Sequence, residues 1–331
     1  MERSREEARL AETVGPPRFQ VAAALLAVYI IWGSTYLGIR IVVETIPPFL
    51  SAGFRFLLAG GIIYALARWR GAGRPARSDW KPAAIAGGLL LVGGNGLVSW
   101  AEVRVHSQFA ALVVATVPLW VVLFDWAGPW RVRPTWGVLA GVLLGVAGVA
   151  LLVDPTRVGA DAIDPVGAAA LLAAAAIWSV GTLYSGKAKL PEPPLLAIGM
   201  EMTAGGALLV VTGLALGEGS RLNLGAVSER SAVAFVYLVL IGALIGFTAY
   251  LWLVRKVPPA LATTYAFVNP IIAIMLGAAI LAEPVTDRTL LAAIVIIVAV
   301  AIITQARSKA VPRAPPPPEP ERKGTAVEPH D

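Results

Sequence analysis

A chain of 331 residues, 57% hydrophobic and only 15% charged, is far from the charged quarter of a soluble globular domain, which excludes one. The absence of cysteine excludes disulfides, thiolate catalysis and thiolate metal sites. Its net charge of +6 comes from basic residues scattered between apolar runs, so it reads as a membrane-topology signal and argues against nucleic acid as a partner.

Residues 1–19 hold four Arg and four Glu around a proline pair and lack the pattern of a signal peptide; they read as a cytoplasmic tail. Apolar stretches then run at about 20–39, 49–67, 82–101, 107–126 and 135–153, and again at 165–184, 195–216, 232–253, 260–282 and 287–305. Each matches the roughly 20 residues that a helix needs to cross a hydrocarbon core of about 30 Å. Residues 307–331 turn basic and then proline-rich, a composition that buries no core and is expected to be a disordered cytoplasmic tail.

Positive charge sets the orientation, because cytoplasmic loops retain Lys and Arg. With the amino terminus inside, the inner segments hold 20 of the 27 basic residues and the outer segments six. Both termini are therefore expected in the cytoplasm, with an even number of spans.

An internal repeat organises the chain. An offset of 146 places Trp32 on Trp178, Pro47-Pro48 on Pro193-Pro194, Gly53 on Gly199 and Gly60 on Gly206. An offset of 152 places Trp100 on Trp252, Arg104 on Lys256, Ala110 on Ala262 and Pro118 on Pro270. The repeats are 20–153 and 165–306, connected by 154–164. Five spans are an odd number of crossings, so the second half starts on the opposite side of the bilayer. The expected fold is an all-α integral membrane protein of ten transmembrane helices in two inverted five-helix repeats, an architecture of secondary transporters.

The run Trp32-Gly33-Ser34-Thr35-Tyr36-Leu37-Gly38-Ile39-Arg40, followed by Pro47-Pro48 and Arg55-Phe56, resembles the EamA-type drug/metabolite transporter superfamily. Asn269-Pro270 and Glu283-Pro284 resemble the second copy, although Trp178-Ser179-Val180-Gly181-Thr182 lacks the full first-copy motif. The resemblance covers residues 20 to 306. It implies a basket of ten helices, a central cavity lined by helices other than the fifth and tenth, export of amino acids or amphipathic metabolites, and a place in a bacterial-type inner membrane.

Several polar and aromatic residues within the spans are candidates for transport. Asn95, Ser99 and Glu102 fall on one face of the third span, where a polar stripe facing lipid would be costly. Trp32, Tyr36 and Arg40 repeat every four residues in the first span, and Tyr265 and Asn269 do so in the ninth. Trp32, Tyr36, Asn95, Ser99, Trp178, Tyr265 and Asn269 form the expected substrate cavity, with an aromatic belt at headgroup depth or simple interhelical bonding as the competing arrangements. For Trp69, Trp80, Trp130 and Trp136 the belt is the preferred reading. Pro118 and Pro270, at repeat-equivalent positions inside spans, are candidate hinges, with static kinks as the alternative. Gly137, Gly141 and Gly145 share a face suited to close helix packing.

Arg55 and Glu201 are ionisable groups at equivalent repeat positions within apolar runs. Their depths suggest two gates, Arg55 with Glu102 or Glu44 outside and Glu201 with Arg255 or Lys256 inside; fixed structural ion pairs are the alternative. Glu201 is the leading carboxylate for proton coupling, with facilitated diffusion as the competing mechanism. No Walker loop and no zinc-binding His-Glu-x-x-His is present, so no cofactor and no metal are expected, and the expected partners are a small-molecule solute and the lipid bilayer. An intramembrane enzyme and a non-transporting receptor are the alternative functions. Monomer and dimer both stay open.

Overall fold

The computed structural model describes residues 17–127, 135–153, 164–257, 259–262 and 264–310. Most of both expected tails, most of the 154–164 connection and the turn with Trp130, Arg131 and Arg133 lie outside the described residues.

The first half contains α1 (Arg18–Val42), α2 (Pro48–Trp69), α3 (Arg77–Ala101), α4 (Ser107–Phe124, broken at residues 115–116) and α5 (Trp136–Val153). The second contains α6 (Pro165–Ser185), α7 (Pro194–Ala215), α8 (Glu229–Lys256), α9 (Tyr265–Leu281) and α10 (Asp287–Ala310). There is no strand among the described residues. Seven of these helices, α1 to α4 and α6 to α8, are long and apolar enough to cross a membrane, while α5 and the apolar part of α9 are shorter. The helix α10 continues to Ala310, beyond the expected end.

Local chemistry sets the helix starts. Pro48, Pro165 and Pro194 occupy first-turn positions, where a missing N–H costs nothing. Asp164 caps α6 by accepting from Gly167 N at 2.7 Å. The bundle reverses the soluble pattern: Leu143 and Met275 are exposed on its outside, while Arg55, Glu102 and Glu201 are buried within it. Lipid tolerates such an apolar exterior, and a charged group avoids it by turning inward.

The contacts between helices exchange under the sequence repeat. The helix α1 packs on α8 and α9, as α6 packs on α3 and α4, while α2 meets its own equivalent α7 and α5 meets α10. In the α2–α7 pair, Gly53 lies against Val210 and Gly60 against Thr203; their repeat images are Gly199 against Tyr64 and Gly206 against Leu57. As one index rises the other falls, so the two helices are antiparallel. Gly141 against Ile303 and Gly148 against Ile296 give the same sense for α5 and α10. Gly137 also faces α10, at Ala306, whereas Gly145 faces Leu119 of α4.

A second shared feature matters for the site. Both α3 and α8 widen into π-helical segments, Gly88–Gly96 and Leu238–Phe247, at repeat-equivalent places. Such irregular turns concentrate at functional sites because they redirect side chains.

Candidate functional site

The two π segments and α1 close around a central cavity. Its lining includes Trp32, Thr35 and Tyr36 of α1, Arg55 and Phe56 of α2, Gly94, Asn95 and Val98 of α3, Trp178 of α6, Gly242 and Phe247 of α8, and Tyr265 of α9. Among the described residues, none of the lining comes from α5 or α10. The atom-free space is ≈ 630 Å³, but the walls leave only ≈ 60 Å³ in which a water-sized body can move.

Trp32 and Trp178 meet edge to face, their ring centroids 5.6 Å apart. Each rests on a glycine of the other half's π segment, Trp178 on Gly94 and Trp32 on Gly246. Gly94 and Gly246 are themselves related by the offset of 152, so the tryptophan pair marks the centre of the pseudosymmetry. Tyr250 packs 4.7 Å from Trp32 and 5.5 Å from Trp178, and Tyr265 lies 5.1 Å from Trp32. Trp178 Nε1 donates to Tyr250 Oη at 3.2 Å, and Tyr250 Oη and Thr182 Oγ1 are 2.7 Å apart. Trp178→Phe, which removes that donor while keeping a ring, is expected to cost about 1 kcal/mol of stability, measurable by thermal unfolding in detergent.

The cavity occupies one side of this aromatic floor because the two copies differ in side-chain volume. The repeat images of Phe247, Tyr250 and Tyr265 are Asn95, Val98 and Val113. Large rings fill the side towards the α8 C-terminus, and small residues leave the opposite side hollow. At that hollow end Arg55, only 4% exposed, donates through Nη2 to Asn95 Oδ1 and lies 4.5 Å from the Phe56 ring centroid. Its Nε has no hydrogen-bond partner among the described residues. Beyond the floor, Arg255 Nη2 donates to Glu201 Oε2 at 3.1 Å, and Ser185 Oγ donates to Glu201 Oε1 at 2.7 Å. Glu201 is fully buried.

The expected site residues fall into distinct places. Trp32, Tyr36, Asn95, Trp178 and Tyr265 line the cavity. Ser99 does not; it faces a smaller void with Arg55 and Ser51, and its hydroxyl donates to Asn95 O. Asn269 is also away from the lining: with its amide nitrogen assigned to face the two carbonyls, it lies 3.2 Å from both Tyr29 O and Tyr265 O and ties α9 to α1. Arg55 and Glu102 form no ion pair, since Arg55 turns to Asn95 and both Glu102 carboxyl oxygens lack hydrogen-bond partners. Glu44 and Lys256 are exposed, and among the described residues Arg255 alone supplies a cationic partner to Glu201. Pro270 lies inside α9, whereas Pro118 follows the break at residues 115–116 and occupies the first turn of a new helical segment. The two prolines are thus not equivalent kinks, because a first-turn proline displaces no intrahelical bond.

Phe247 and Tyr250 were not among the expected site residues, and Phe56 entered only through the Arg55-Phe56 motif. The signal was available for the first two, as residues three apart in an apolar run whose repeat images are Asn95, a member of the predicted polar stripe, and Val98.

The chain matches the model of the EamA-like transporter family over residues 20–154 and again over 165–305. It is 40% identical over 283 residues to a protein described as the uncharacterized inner membrane transporter YedA of Escherichia coli K12, covering 85% of this chain and 89% of that one. It is 25% identical over 296 residues to the uncharacterized transporter YvbV of Bacillus subtilis, covering 89% and 94%. A solved crystal structure with 22% identity superposes with a TM-score of 0.63 over 89% of this chain and all of the other, a likeness of fold. Two family matches in tandem, and a relative at 40% identity over most of both lengths, make this chain a member of the EamA-like transporter family: a membrane transporter and not an enzyme.

Proposed function

We propose that the protein is a secondary transporter or facilitator that carries a small amphipathic solute through the central cavity by alternating access. In this reading α5, α9 and α10 join the seven long apolar helices to make ten crossings in two inverted halves. Both termini are cytoplasmic in a bacterial-type inner membrane, as the distribution of Lys and Arg favours.

The observation that carries the proposal is a cavity between the halves with an aromatic body and one polar end. The rings of Trp32, Trp178 and Tyr265 suit an apolar group, and the buried Arg55 beside Asn95 suits a carboxylate or another hydrogen-bonding head. Counting from the outer ends of their helices, Arg55 and Asn95 lie about 10 Å deep at 1.5 Å per residue, and the aromatic floor lies deeper. In this reading the Glu201–Arg255 pair, made at 3.1 Å, closes the route beneath that floor, so the hollow side faces outward, and transport requires the opposite arrangement in turn.

Solute counterflow in proteoliposomes, run with a panel of amino acids and cationic amphiphiles, tests this. Wild-type protein accelerates exchange of at least one of them; acceleration of none overturns the reading. For a solute with a carboxylate, Arg55→Gln removes a charged hydrogen bond of about 1.5–3 kcal/mol, so the half-saturation concentration rises about 10- to 100-fold.

A further inference from the structure

We propose that Glu102 is a proton-binding site that controls the outer gate, its proton excluding an Arg55–Glu102 ion pair. The proposal rests on the transport reading above for its consequence, but not for its test.

Glu102 is 0% exposed, and neither carboxyl oxygen has a hydrogen-bond partner among the described residues. An ionised carboxylate in such a place keeps the full cost of losing water with nothing to offset it, whereas the neutral acid loses far less. Its position on the backbone adds to this. Glu102 is the C-terminal cap of α3, at the end of a helix that disfavours negative charge.

The neighbouring carboxyl has the opposite surroundings. Glu283 accepts from Ser107 N and Ser107 Oγ at 2.9 Å and from Gln108 N at 3.3 Å, at the N-terminus of α4, where an anion is favoured. Of these two buried carboxyls, Glu283 has donors on both oxygens and Glu102 has none among the described residues.

The cationic groups around Glu102 are engaged elsewhere. It is faced by Arg40 and Tyr36 of α1, Arg55 of α2 and Glu283 after α9, with His106 Nδ1 3.8 Å from Glu283 Oε1. Arg40 donates to the backbone carbonyl of Glu102 instead of its carboxyl, and Arg55 donates to Asn95. Among the described residues no group of three or more His, Cys, Asp and Glu could hold a metal ion.

The repeat says what deprotonation does. Arg55 is the image of Glu201, and Glu102 lies one residue from the image of Arg255, so an Arg55–Glu102 pair would be the outer counterpart of the inner gate with its signs exchanged. In this structure the inner pair is made and the outer one is not. Loss of the Glu102 proton leaves a carboxylate one helical turn beyond Val98 of the cavity wall, where Arg55 can leave Asn95 and pair with it. That movement draws the polar end of the cavity shut and frees the inner pair to open.

The decisive experiment needs no solute. Infrared spectra of the purified full-length protein at neutral pH are expected to contain the carbonyl stretch of a buried protonated carboxylic acid. The band should be absent in Glu102→Gln, displaced in Glu102→Asp and retained in Glu201→Gln. A spectrum with no such band, or a band indifferent to both changes at Glu102, overturns the proposal; the aspartate variant decides the matter if the glutamine variant does not fold. Counterflow then tests the consequence. Wild-type exchange changes with external pH, and exchange by Glu102→Gln, whatever its rate, does not; a retained pH profile sinks the gate. Absence of counterflow by wild type instead defeats the transport reading and leaves the spectroscopic result standing.

Discussion

Arg255→Met is expected to destabilise the protein by about 3–5 kcal/mol, the cost of breaking a buried ion pair from one side. The change leaves the fully buried Glu201 carboxylate with only the Ser185 hydroxyl at 2.7 Å. Glu201→Gln should cost less, because Arg255 keeps its bond to Pro194 O at 3.1 Å and its side chain is 15% exposed, enough to reach water. The double variant Glu201→Gln/Arg255→Met should therefore be more stable than Arg255→Met alone. Thermal unfolding of the four proteins in one detergent checks the order. A double variant no better than the arginine variant would mean that the carboxylate finds other partners.

The second large effect concerns the α2–α7 contact. A β-carbon on Gly60 would lie 2.6 Å from Thr203 N, and one on Gly206 would lie 2.6 Å from Leu57 N. These neighbours are backbone atoms, which cannot swing aside, so Gly60→Ala and Gly206→Ala each force the helices apart at a cost of about 1–3 kcal/mol. Gly61→Ala is the control, as nothing lies within 4 Å of that position. There the better helix propensity of alanine makes the change neutral or stabilising by about 0.5–1 kcal/mol. Because Gly60 and Gly206 occupy the same place in a symmetric pair, the two losses should agree in unfolding measurements. A loss confined to one of them would contradict the symmetry of the contact.

The Glu201–Arg255 pair is made and an Arg55–Glu102 pair is not, although Arg55 is the repeat image of Glu201 and Glu102 lies one residue from the image of Arg255. Glu201 has a guanidinium within reach and a hydroxyl beside it, so both its carboxyl oxygens have donors. Glu102 has two guanidinium groups nearby, each committed to another acceptor. Sign complementarity along the sequence marked both sets of residues, but which pair was made depended on where each arginine could extend.

Much of the architecture was written in the chain itself. Apolar runs of spanning length and an internal repeat indicated a helical membrane protein built from two copies, because both signals reflect transfer into lipid, which acts on composition and order alone. The same logic picked out Trp32 and Trp178 as equivalents and Arg55 and Glu201 as buried charges. What the sequence could not determine was direction within the bundle. An α-helical count put Asn95, Ser99 and Glu102 on one face, but the π segment ending at Gly96 and the packing of α2 separate them into cavity wall, side void and closed pocket. Likewise Pro118 and Pro270 align by number, yet only Pro270 lies inside a helix, because the chain breaks before Pro118. Which half of the centre is hollow was decided by the volumes of Phe247, Tyr250 and Tyr265 against Asn95, Val98 and Val113, and those residues meet only when the halves close on each other.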